Sequence, residues 1–425
     1  MSFASLGLHK TLINTVTERG YSNPTPIQSA AIPAILAQKD VMAGAQTGTG
    51  KTAAFALPLL HRLLKQYDLD QTSEAGLNNQ KYKKISVLVL TPTRELAQQV
   101  YNSFTTYSKD SSVQSVVVYG GASINTQINA LNKGCDVLIA TPGRLQELIM
   151  KNLVKLSELK TLVLDEADRM LDMGFIVDIQ RIMTKIPSSR QTLFFSATFN
   201  NEILKLSKTL LKNPKLIEVD QRNATASKVE QIVYQVDNDQ KSALLSFLIG
   251  SKNWKQVLVF TRTKQGADEL VKEMQKDGIT TQAIHGDKSQ GARDRVLADF
   301  KAGKVRALVA TDIAARGLDI RDLQYVVNHE LPYNAEDYIH RIGRTGRAGL
   351  AGLAVSLVSE KENYLLADIS TLVGENFNPR WFPGFEPNPD KQESQKRRPP
   401  SKKTLRAKAL GKGFQKDTKP KKKRY

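Results

Sequence analysis

The chain has 425 residues, more than one hydrophobic core usually organises, and this length predicts two or three domains. With 40% hydrophobic and 24% charged residues, most of it is expected to be globular, and no apolar run approaches the roughly 20 residues of a membrane-spanning helix. The first residues lack the basic and then apolar pattern of a signal peptide, and the single cysteine, Cys135, excludes an internal disulfide. We therefore expect a cytoplasmic protein that does not associate with membranes.

The net charge of +19 is concentrated at the C-terminus. Residues 391–425 hold 15 Lys or Arg against 2 acidic residues, so this segment carries +13 and the rest of the chain +6. The segment is poor in apolar residues and contains Pro399-Pro400, a composition that predicts disorder. A cationic tail binds polyanions through counterion release, which favours nucleic acid as its partner over a tail that only aids solubility.

Short apolar runs alternate with longer stretches of helical pattern. In the first half the strand candidates are residues 41–45, 87–90, 116–119, 137–140, 162–164 and 192–195. The pattern restarts near Gln231, with candidates at 232–236, 257–260, 281–284, 306–310, 325–328 and 354–358. Continuous apolar runs without strict alternation are typical of strands buried on both faces of a parallel sheet. The sequence therefore predicts an α/β fold with two domains of similar plan, each a mainly parallel sheet flanked by helices.

The same pattern predicts the domain boundaries. They are an N-terminal region at 1–29, a first domain at 30–212, a polar linker at 213–228, a second domain at 229–370, an extension rich in aromatic residues and proline at 371–390, and the basic tail at 391–425.

The segment Ala45-Gln46-Thr47-Gly48-Thr49-Gly50-Lys51-Thr52 follows a strand candidate and precedes a helix-compatible stretch. This is the context of a phosphate-binding loop. Glycines let backbone N–H groups approach phosphate oxygens, Lys51 supplies a positive charge, and the Thr52 hydroxyl can bind Mg²⁺. The segment therefore predicts a nucleotide site.

An acidic segment, Asp165-Glu166-Ala167-Asp168, follows the apolar run that ends at Leu164. Carboxylates at the end of a buried strand, beside a phosphate loop, can hold a hydrated Mg²⁺ through Asp165 and polarise an attacking water through Glu166. We interpret this segment as the second part of the nucleotide site.

A third segment, His340-Arg341-Ile342-Gly343-Arg344-Thr345-Gly346-Arg347, offers arginines but no phosphate loop of its own. The phosphate loop, in turn, has no arginine to stabilise charge on a transferred phosphoryl group. If the two segments belong to separate folding units, hydrolysis would occur only when those units meet.

With these segments in this order, the chain resembles the DEAD-box ATP-dependent RNA helicases of superfamily 2 over roughly residues 3–370. The literal Asp165-Glu166-Ala167-Asp168 is the family's naming motif. The resemblance implies two tandem RecA-like domains, with ATP and Mg²⁺ as cofactors and RNA as partner. Within the family, the short core and basic tail are similar to the bacterial RhlE-like group.

The resemblance also implies roles for single residues. Residues 1–29 resemble the Q motif, in which an aromatic ring stacks on adenine and a glutamine reads its edge. The implied nucleotide site consists of Phe3, Tyr21, Gln28, Ala45, Gln46, Thr47, Gly48, Thr49, Gly50, Lys51, Thr52 and Asp319. The implied catalytic residues are Lys51, Asp165, Glu166 and the arginine fingers Arg344 and Arg347, with Thr52 and Asp165 at the metal.

The implied RNA contacts are Arg94, Gly121, Thr141 and Arg144 in the first domain and Arg262, Gln290, Arg293 and Thr311 in the second. The implied coupling residues are Asp168, Ser196, Thr198 and His340. Gly, Thr and Arg at loop and helix starts bind phosphates and sugars, so we expect the core to hold RNA with little sequence specificity.

Several alternatives stay open at this point. The aromatic segment 380–387 either docks on the second domain and ends the fold or stacks on RNA bases. The expected activity is local unwinding of RNA duplexes or remodelling of ribonucleoprotein, driven by closure of the two domains. The alternatives are an ATP-gated RNA clamp with little unwinding and a DNA translocase, which the Q motif and the literal D-E-A-D disfavour. The sequence does not choose among RNA targets such as ribosomal precursors and messengers.

Overall fold

The computed structural model describes residues 2–44, 49–71, 84–218, 229–315, 320, 323–346 and 352–388. The chain divides near residue 221 into two compact units, each with one parallel sheet, and this confirms the predicted fold class. Several predicted site residues lie outside the described residues: Ala45, Gln46, Thr47, Gly48, Asp319 and Arg347. The basic tail at 391–425 also lies outside them.

The sheet of the first unit has seven strands. They are β1 (Val41–Gly44), β2 (Val87–Leu90), β3 (Ser115–Val118), β4 (Val137–Ala140), β5 (Thr161–Leu164), β6 (Gln191–Ser196) and β7 (Lys215–Glu218). Their order is β3-β4-β2-β5-β6-β1-β7, and every neighbouring pair is parallel. All polar residues that follow these strands therefore meet at one edge of the sheet.

Strand β7 corrects the predicted linker, because it lies within residues 213–228 and pairs with β1. Its pattern explains why the sequence did not reveal it. Only Ile217 is buried in this strand, since an edge strand needs no continuous apolar run.

Helices cover both faces of the first sheet. They are a 3₁₀ turn (Phe3–Leu6), α1 (Lys10–Glu18), α2 (Pro26–Leu36), α3 (Lys51–Gln71), α4 (Arg94–Tyr107), α5 (Ile124–Asn132), α6 (Pro142–Met150), α7 (Ala167–Asp172), α8 (Ile176–Met183) and α9 (Asn201–Leu210).

Alternate residues of each strand enter opposite cores of this unit. Val87 and Val89 of β2 pack with α1 to α4, whereas Leu88 and Leu90 pack with α6 to α9. Burial on both faces explains the continuous apolar runs. The N-terminal residues 2–29 belong to the first of these cores rather than to a separate region, and Cys135 is buried in the second.

The second unit repeats this plan with six strands. They are β8 (Val229–Gln235), β9 (Val257–Thr261), β10 (Thr281–Ile284), β11 (Ala307–Thr311), β12 (Tyr325–Asn328) and β13 (Gly352–Val358), in the order β10-β11-β9-β12-β13-β8 and all parallel. Its helices are α10 (Lys241–Ser251), α11 (Lys264–Lys276), α12 (Gln290–Lys301), α13 (Asp312–Ala315), α14 (Ala335–Ile342), a 3₁₀ turn (Glu360–Glu362) and α15 (Asn363–Val373). No helix among the described residues is long and apolar enough to cross a membrane.

The two units share a local design at the central strand. In the first, the Thr91 hydroxyl donates to the Thr93 carbonyl at 3.3 Å, and the Thr93 hydroxyl accepts from Leu96 N at the start of α4. In the second, Thr261 and Thr263 make the same pair of contacts at the start of α11. Each N-cap fixes where the helix begins, directly after the carboxyl end of the strand.

The extension after residue 370 is part of the second unit, which corrects the predicted boundary. Helix α15 runs to Val373, and the following chain returns to the edge strand β8. Arg380 N donates to Val233 O at 2.8 Å, and Gln235 N donates to Arg380 O at 2.9 Å. The Phe382 ring meets those of Tyr234 and Phe247 at 5.6 and 5.5 Å. The docking interpretation is therefore confirmed for Phe382, and the segment covers an otherwise open sheet edge.

This packing predicts unequal effects for two neighbouring aromatic residues. Phe382→Ala should lower the free energy of unfolding of the second unit by about 1–2 kcal/mol, because edge-to-face ring contacts are lost. Trp381, with 69% of its surface exposed, is the matched control, and Trp381→Ala should cost less than about 0.5 kcal/mol. Urea unfolding followed by the fluorescence of Trp254, which is buried in the same unit, measures both. Equal losses would show that Phe382 does not anchor the segment.

Candidate functional site

The predicted site residues of the first unit lie at the carboxyl edge of its sheet, in two adjacent groups. The phosphate loop, Asp165 and Ser196 follow or end β1, β5 and β6, which are neighbours. Arg94, Gly121 and Thr141 follow β2, β3 and β4, which form the other half of the edge.

The phosphate loop is tied to the N-terminal region through Gln28. Gln28 Nε2 donates to Gly50 O at 3.1 Å. Gln28 Oε1 accepts from Thr25 N at 2.9 Å, and this contact is part of the capping box at the start of α2. Gly50 has φ +90°, and a Cβ there would overlap the Gln28 amide, so only glycine fits. The structure thus brings Gln28 and the loop together.

The two aromatic residues predicted for adenine stacking differ in exposure. Phe3 is 5% exposed and packs into the hydrophobic core, so the structure does not support it as a stacking surface. Tyr21 is 51% exposed. Of the two rings, Tyr21 is therefore the one that can stack on a base.

Lys51 and Asp165 lie in the group of residues that follow β1, β5 and β6 at the sheet edge. Both are buried, and neither Lys51 Nζ nor Asp165 Oδ1 has a hydrogen-bond partner among the described residues. Burial raises the pKa of Asp165 to about 6, against the opposing effect of the nearby Lys51 charge. Buried polar atoms normally have partners, so these two groups are suited to receive a ligand.

These groups fit a nucleotide phosphate and Mg²⁺. A lysine ammonium is a point charge for phosphate, and a carboxylate and the Thr52 hydroxyl are oxygen donors of the type that Mg²⁺ prefers. The described residues contain no group of three or more His, Cys, Asp or Glu that could hold a metal alone. Mg²⁺ usually keeps several waters and binds through one or two carboxylates and substrate phosphates.

Glu166 adopts a left-handed conformation, φ 53° and ψ 54°, directly before α7. Its Oε2 lies 2.8 Å from Nη1 of Arg169, and both side chains are buried. Arg169 was not among the residues predicted from the sequence. The spacing of three residues between opposite charges at a helix start is the signal that predicts such a pair.

Asp168 links the acidic segment to the end of β6. Its Oδ2 accepts hydrogen bonds from Ala197 N at 3.0 Å and Thr198 N at 3.1 Å, and the Ser196 hydroxyl donates to Thr198 O at 2.7 Å. Three predicted coupling residues are therefore in one hydrogen-bonded group.

The residues predicted to contact RNA in the first unit also converge. Gly121 has φ +77°, and a Cβ there would overlap the Arg94 guanidinium, so the arginine lies directly over it. Arg144 Nη2 donates to Ala122 O at 3.2 Å, and Thr141 N donates to Val118 O at 3.1 Å at the start of α6. Backbone and guanidinium donors thus lie together at this half of the edge.

In the second unit Gln290, Arg293 and Thr311 lie at the carboxyl ends of the adjacent strands β10 and β11. Gln290 and Arg293 are in the first turn of α12, which Ser289 caps, and Thr311 is the last residue of β11. Gln290 Nε2 donates to Asp294 Oδ1 at 2.9 Å.

Arg262 is held differently from the other predicted RNA contacts. Its backbone N and Nη2 bond to Glu330 at 2.7 and 3.1 Å, Nη2 also lies 3.1 Å from Glu362, and its guanidinium stacks over the Tyr333 ring. Only 16% of its side chain is exposed. A phosphate would have to replace these partners, and the RNA contact of Arg262 stays a prediction.

The shared Thr-x-Thr design identifies a better candidate. Arg94 follows Thr93 as Lys264 follows Thr263, so Lys264 is the local counterpart of Arg94, and Arg262 is the counterpart of Pro92. The Lys264 side chain is 47% exposed and lies beside Asp287 and Gly286. Lys264 was not among the residues predicted from the sequence, and its signal is the Thr-x-Thr pattern that both halves share.

A buried charge cluster lies behind Arg262. Lys241 is fully buried, bonds to Glu362, and donates to His329 O at 3.1 Å. Burial alone would raise the pKa of Glu362, but the charges of Lys241 and Arg262 hold this pKa below its usual value. Glu362 also accepts from Ser359 N and Leu331 N, so the cluster joins the ends of β9, β12 and β13.

Within the arginine segment, Arg341 is buried and bound to other residues of the second unit. It is 1% exposed, makes two hydrogen bonds of 2.7 Å to Asp312, and donates to Asn328 Oδ1 at 3.0 Å. Arg344 follows α14 and is 6% exposed, and His340 is half-buried near the end of that helix.

Two parallel α/β units, buried groups suited to phosphate and Mg²⁺, and guanidinium donors along the same sheet edge are typical of nucleotide-dependent enzymes that act on nucleic acids. The profile of the DEAD/DEAH box helicase family matches residues 25–206, and that of the helicase conserved C-terminal domain matches residues 239–349. The RNA helicase CrhR of Synechocystis is 43% identical over 369 residues, covering 87% of this chain and 72% of the relative. The ATP-dependent RNA helicase CshA of Listeria monocytogenes is 40% identical, covering 90% and 71%.

Solved structures agree with these sequence matches. Dbp5 of Saccharomyces cerevisiae, bound to RNA and ADP BeF3, is 30% identical and aligns with a TM-score of 0.78 over 96% of this chain and 99% of that one. The chain therefore belongs to the DEAD-box family of ATP-dependent RNA helicases.

His329 makes the stability of the second unit depend on pH. Burial, and then the Lys241 charge, lower its pKa from 6.5 to about 4. The unfolded chain therefore takes up the proton first, and stability should fall as the pH drops from about 6.5 to 4, by a total of the order of 3 kcal/mol. Urea unfolding at several pH values, followed by fluorescence of the two tryptophans, both in this unit, measures the loss.

His329→Gln removes the titrating group and is the comparison. Its stability should change less than that of the unmodified chain within this window, while both lose stability below about pH 4.5 as carboxylates become protonated. Identical pH profiles would contradict the assignment to His329.

Proposed function

We propose that the chain uses ATP hydrolysis to unwind RNA duplexes locally or to remodel ribonucleoprotein in the cytoplasm, through closure of its two RecA-like domains on RNA. The observation that carries this proposal is a pair of buried groups, Lys51 Nζ and Asp165 Oδ1, that have no hydrogen-bond partners among the described residues. They lie at the carboxyl edge of the first sheet and are suited to bind a phosphate and a cation, and Arg94 and Arg144, the donors proposed for the RNA backbone, lie along the same edge.

ATP would be held by residues of the N-terminal region and by groups that follow β1 and β5. Tyr21 would stack on adenine and Gln28 would read its edge, while the phosphate loop and Lys51 would bind the phosphates. Asp165 and Thr52 would hold hydrated Mg²⁺, which neutralises charge on the phosphates. Asp319 at the ribose lies outside the described residues and stays a prediction.

For hydrolysis, Glu166 would accept a hydrogen bond from the attacking water. Arg344, with Arg347 outside the described residues, would stabilise charge on the transferred phosphoryl group. These arginines belong to the second unit, so the complete site requires closure. Hydrolysis should then be weak without RNA and stimulated by it.

Asp168 would transmit the state of the nucleotide site. Its carboxylate holds Ala197 N and Thr198 N, so a shift of the acidic segment moves the end of β6. His340 would sense the acidic segment from the second unit. Such a link couples phosphate chemistry to domain closure.

RNA would bind through its backbone. Arg94, Gly121, Thr141 and Arg144 would hold it on the first unit, and Gln290, Arg293, Thr311 and Lys264 on the second. Guanidinium, ammonium and backbone donors contact phosphates and sugars, which positions a strand without reading bases. The RNA in the Dbp5 complex supports this assignment by similarity.

The function is tested by two substitutions in the nucleotide site. Lys51→Ala and Glu166→Gln should each reduce RNA-stimulated ATP turnover by at least about 100-fold, because one removes the phosphate charge and the other the water-orienting group. Glu166→Gln should retain ATP binding better, since the phosphate contacts remain. ATPase rates with saturating RNA and displacement of a labelled strand from an RNA duplex are the measurements.

Lys65→Ala serves as the control, because this lysine is an exposed residue of the same helix as Lys51. It should leave both activities unchanged. Substantial RNA-stimulated hydrolysis by Lys51→Ala or Glu166→Gln would overturn the assigned roles. Full ATPase without strand displacement would indicate an RNA clamp, and displacement of a DNA duplex alone would indicate a DNA translocase.

The basic tail is proposed as an RNA anchor outside the core. Deleting residues 391–425 removes +13 of the +19 charge, so RNA affinity should fall and its dependence on salt should become shallower. The ATPase rate at saturating RNA should persist. Binding curves at several salt concentrations compare the full and shortened chains. Equal log-log slopes would exclude the tail as an anchor, and a lost saturating rate would place it in the catalytic machinery.

A further inference from the structure

Arg169 and Glu166 form a buried ion pair beside the nucleotide site. Their side chains are 3% and 5% exposed, and Arg169 Nη1 lies 2.8 Å from Glu166 Oε2. Neither Nη1 nor Nη2 of Arg169 has a partner in hydrogen-bond geometry among the described residues. The ion pair is therefore the contact through which this guanidinium offsets the cost of its burial.

The backbone of Glu166 adds a second constraint. A left-handed conformation is uncommon for a residue other than glycine, and it is retained where surrounding contacts enforce it. Here the Glu166 carbonyl accepts from Arg169 N at 3.0 Å and Met170 N at 3.2 Å, which fixes the turn into α7. The backbone conformation thus fixes the direction in which the Glu166 side chain leaves the main chain, and the contact with Arg169 places its Oε2 atom.

The neighbouring carboxylates are fixed by other groups. Asp168 is held by Ala197 N and Thr198 N, and Asp165 lies near Lys51. Of the three acidic side chains in this segment, Glu166 is the one paired with an arginine of its own helix. Fixing one carboxylate oxygen restricts the directions open to the other, and such restriction is what a water-orienting group requires.

We propose that Arg169 is a positioning residue that holds the Glu166 carboxylate in the orientation from which it accepts a hydrogen bond from the attacking water. This inference rests on the proposed role of Glu166. Arg169 acts through Glu166 and makes no contact with nucleotide. Removing it should therefore slow hydrolysis and leave nucleotide affinity intact.

The experiment uses Arg169→Met and Arg169→Lys in the full chain. Methionine keeps an unbranched, buried side chain without charge, and lysine restores the charge without the guanidinium. Arg169→Met should lower kcat by about 10- to 100-fold, with the KM for ATP and the half-saturating RNA concentration changed less than about threefold. Arg169→Lys should recover at least about one third of the lost activity on a logarithmic scale.

Arg181→Met is the matched control, because this arginine is exposed on α8 of the same unit. It should leave kcat and KM unchanged. Binding of a non-hydrolysable ATP analogue reports that each variant is folded at the site. Loss of analogue binding together with kcat, without recovery by lysine, would show that Arg169 only supports the fold and would overturn the proposal.

A double-mutant cycle with Glu166→Gln separates this inference from the proposed function. If Arg169 acts through Glu166, Arg169→Met should not slow single-turnover hydrolysis further once Glu166 is glutamine. An additional loss of 10-fold or more, on the order expected for independent groups, would overturn the proposal. An inactive Glu166→Gln beside a fully active Arg169→Met would leave the role of Glu166 standing and refute that of Arg169.

Discussion

Parallel pairing of every strand is the constraint on which the arrangement of this protein depends. Parallel neighbours require a crossover between strands, and these crossovers cover both faces of each sheet with helices. All strands of a unit therefore end at the same edge of the sheet, so a polar residue that directly follows a strand lies at that edge. In the first unit, residues separated by more than 100 positions, such as Lys51 and Asp165, come close enough for their charges to interact.

The two units treat buried charge in opposite ways. In the second, Lys241, Arg262, Glu330 and Glu362 compensate one another, and this closed cluster ties three strand ends together. In the first, Lys51 Nζ and Asp165 Oδ1 have no hydrogen-bond partners among the described residues although both side chains are buried. Buried polar atoms without partners cost stability, and such a cost is typical of a site that a ligand completes. This difference in the pairing of buried charges distinguishes the first unit, which holds the nucleotide site, from the second unit.

Hydrogen bonds from two buried side chains, Asp168 and Gln28, link separate segments of the first unit. Asp168 belongs to the segment that would hold Mg²⁺ and water, yet its carboxylate binds the backbone after β6. Gln28 connects the N-terminal region to the phosphate loop in the same manner. Each link joins two segments that are separate in sequence, so a change at the phosphates would reach both segments through these hydrogen bonds.

Much of this could be predicted from the sequence, for physical reasons. Buried parallel strands need continuous apolar runs, and phosphate loops need glycines and a lysine, so the fold class and Lys51, Asp165 and Glu166 are visible in local patterns. What local patterns do not contain is the partner of each side chain. Strand β7 has one buried residue, so its sequence shows no apolar run. Phe3 packs into the hydrophobic core, and Arg262 forms ion pairs with two carboxylates. The pairs of Glu166 with Arg169 and of Lys241 with Glu362 exist because the fold removes these charges from water and brings them together. Burial and pairing are properties of the packed chain, and only the tertiary structure decides them.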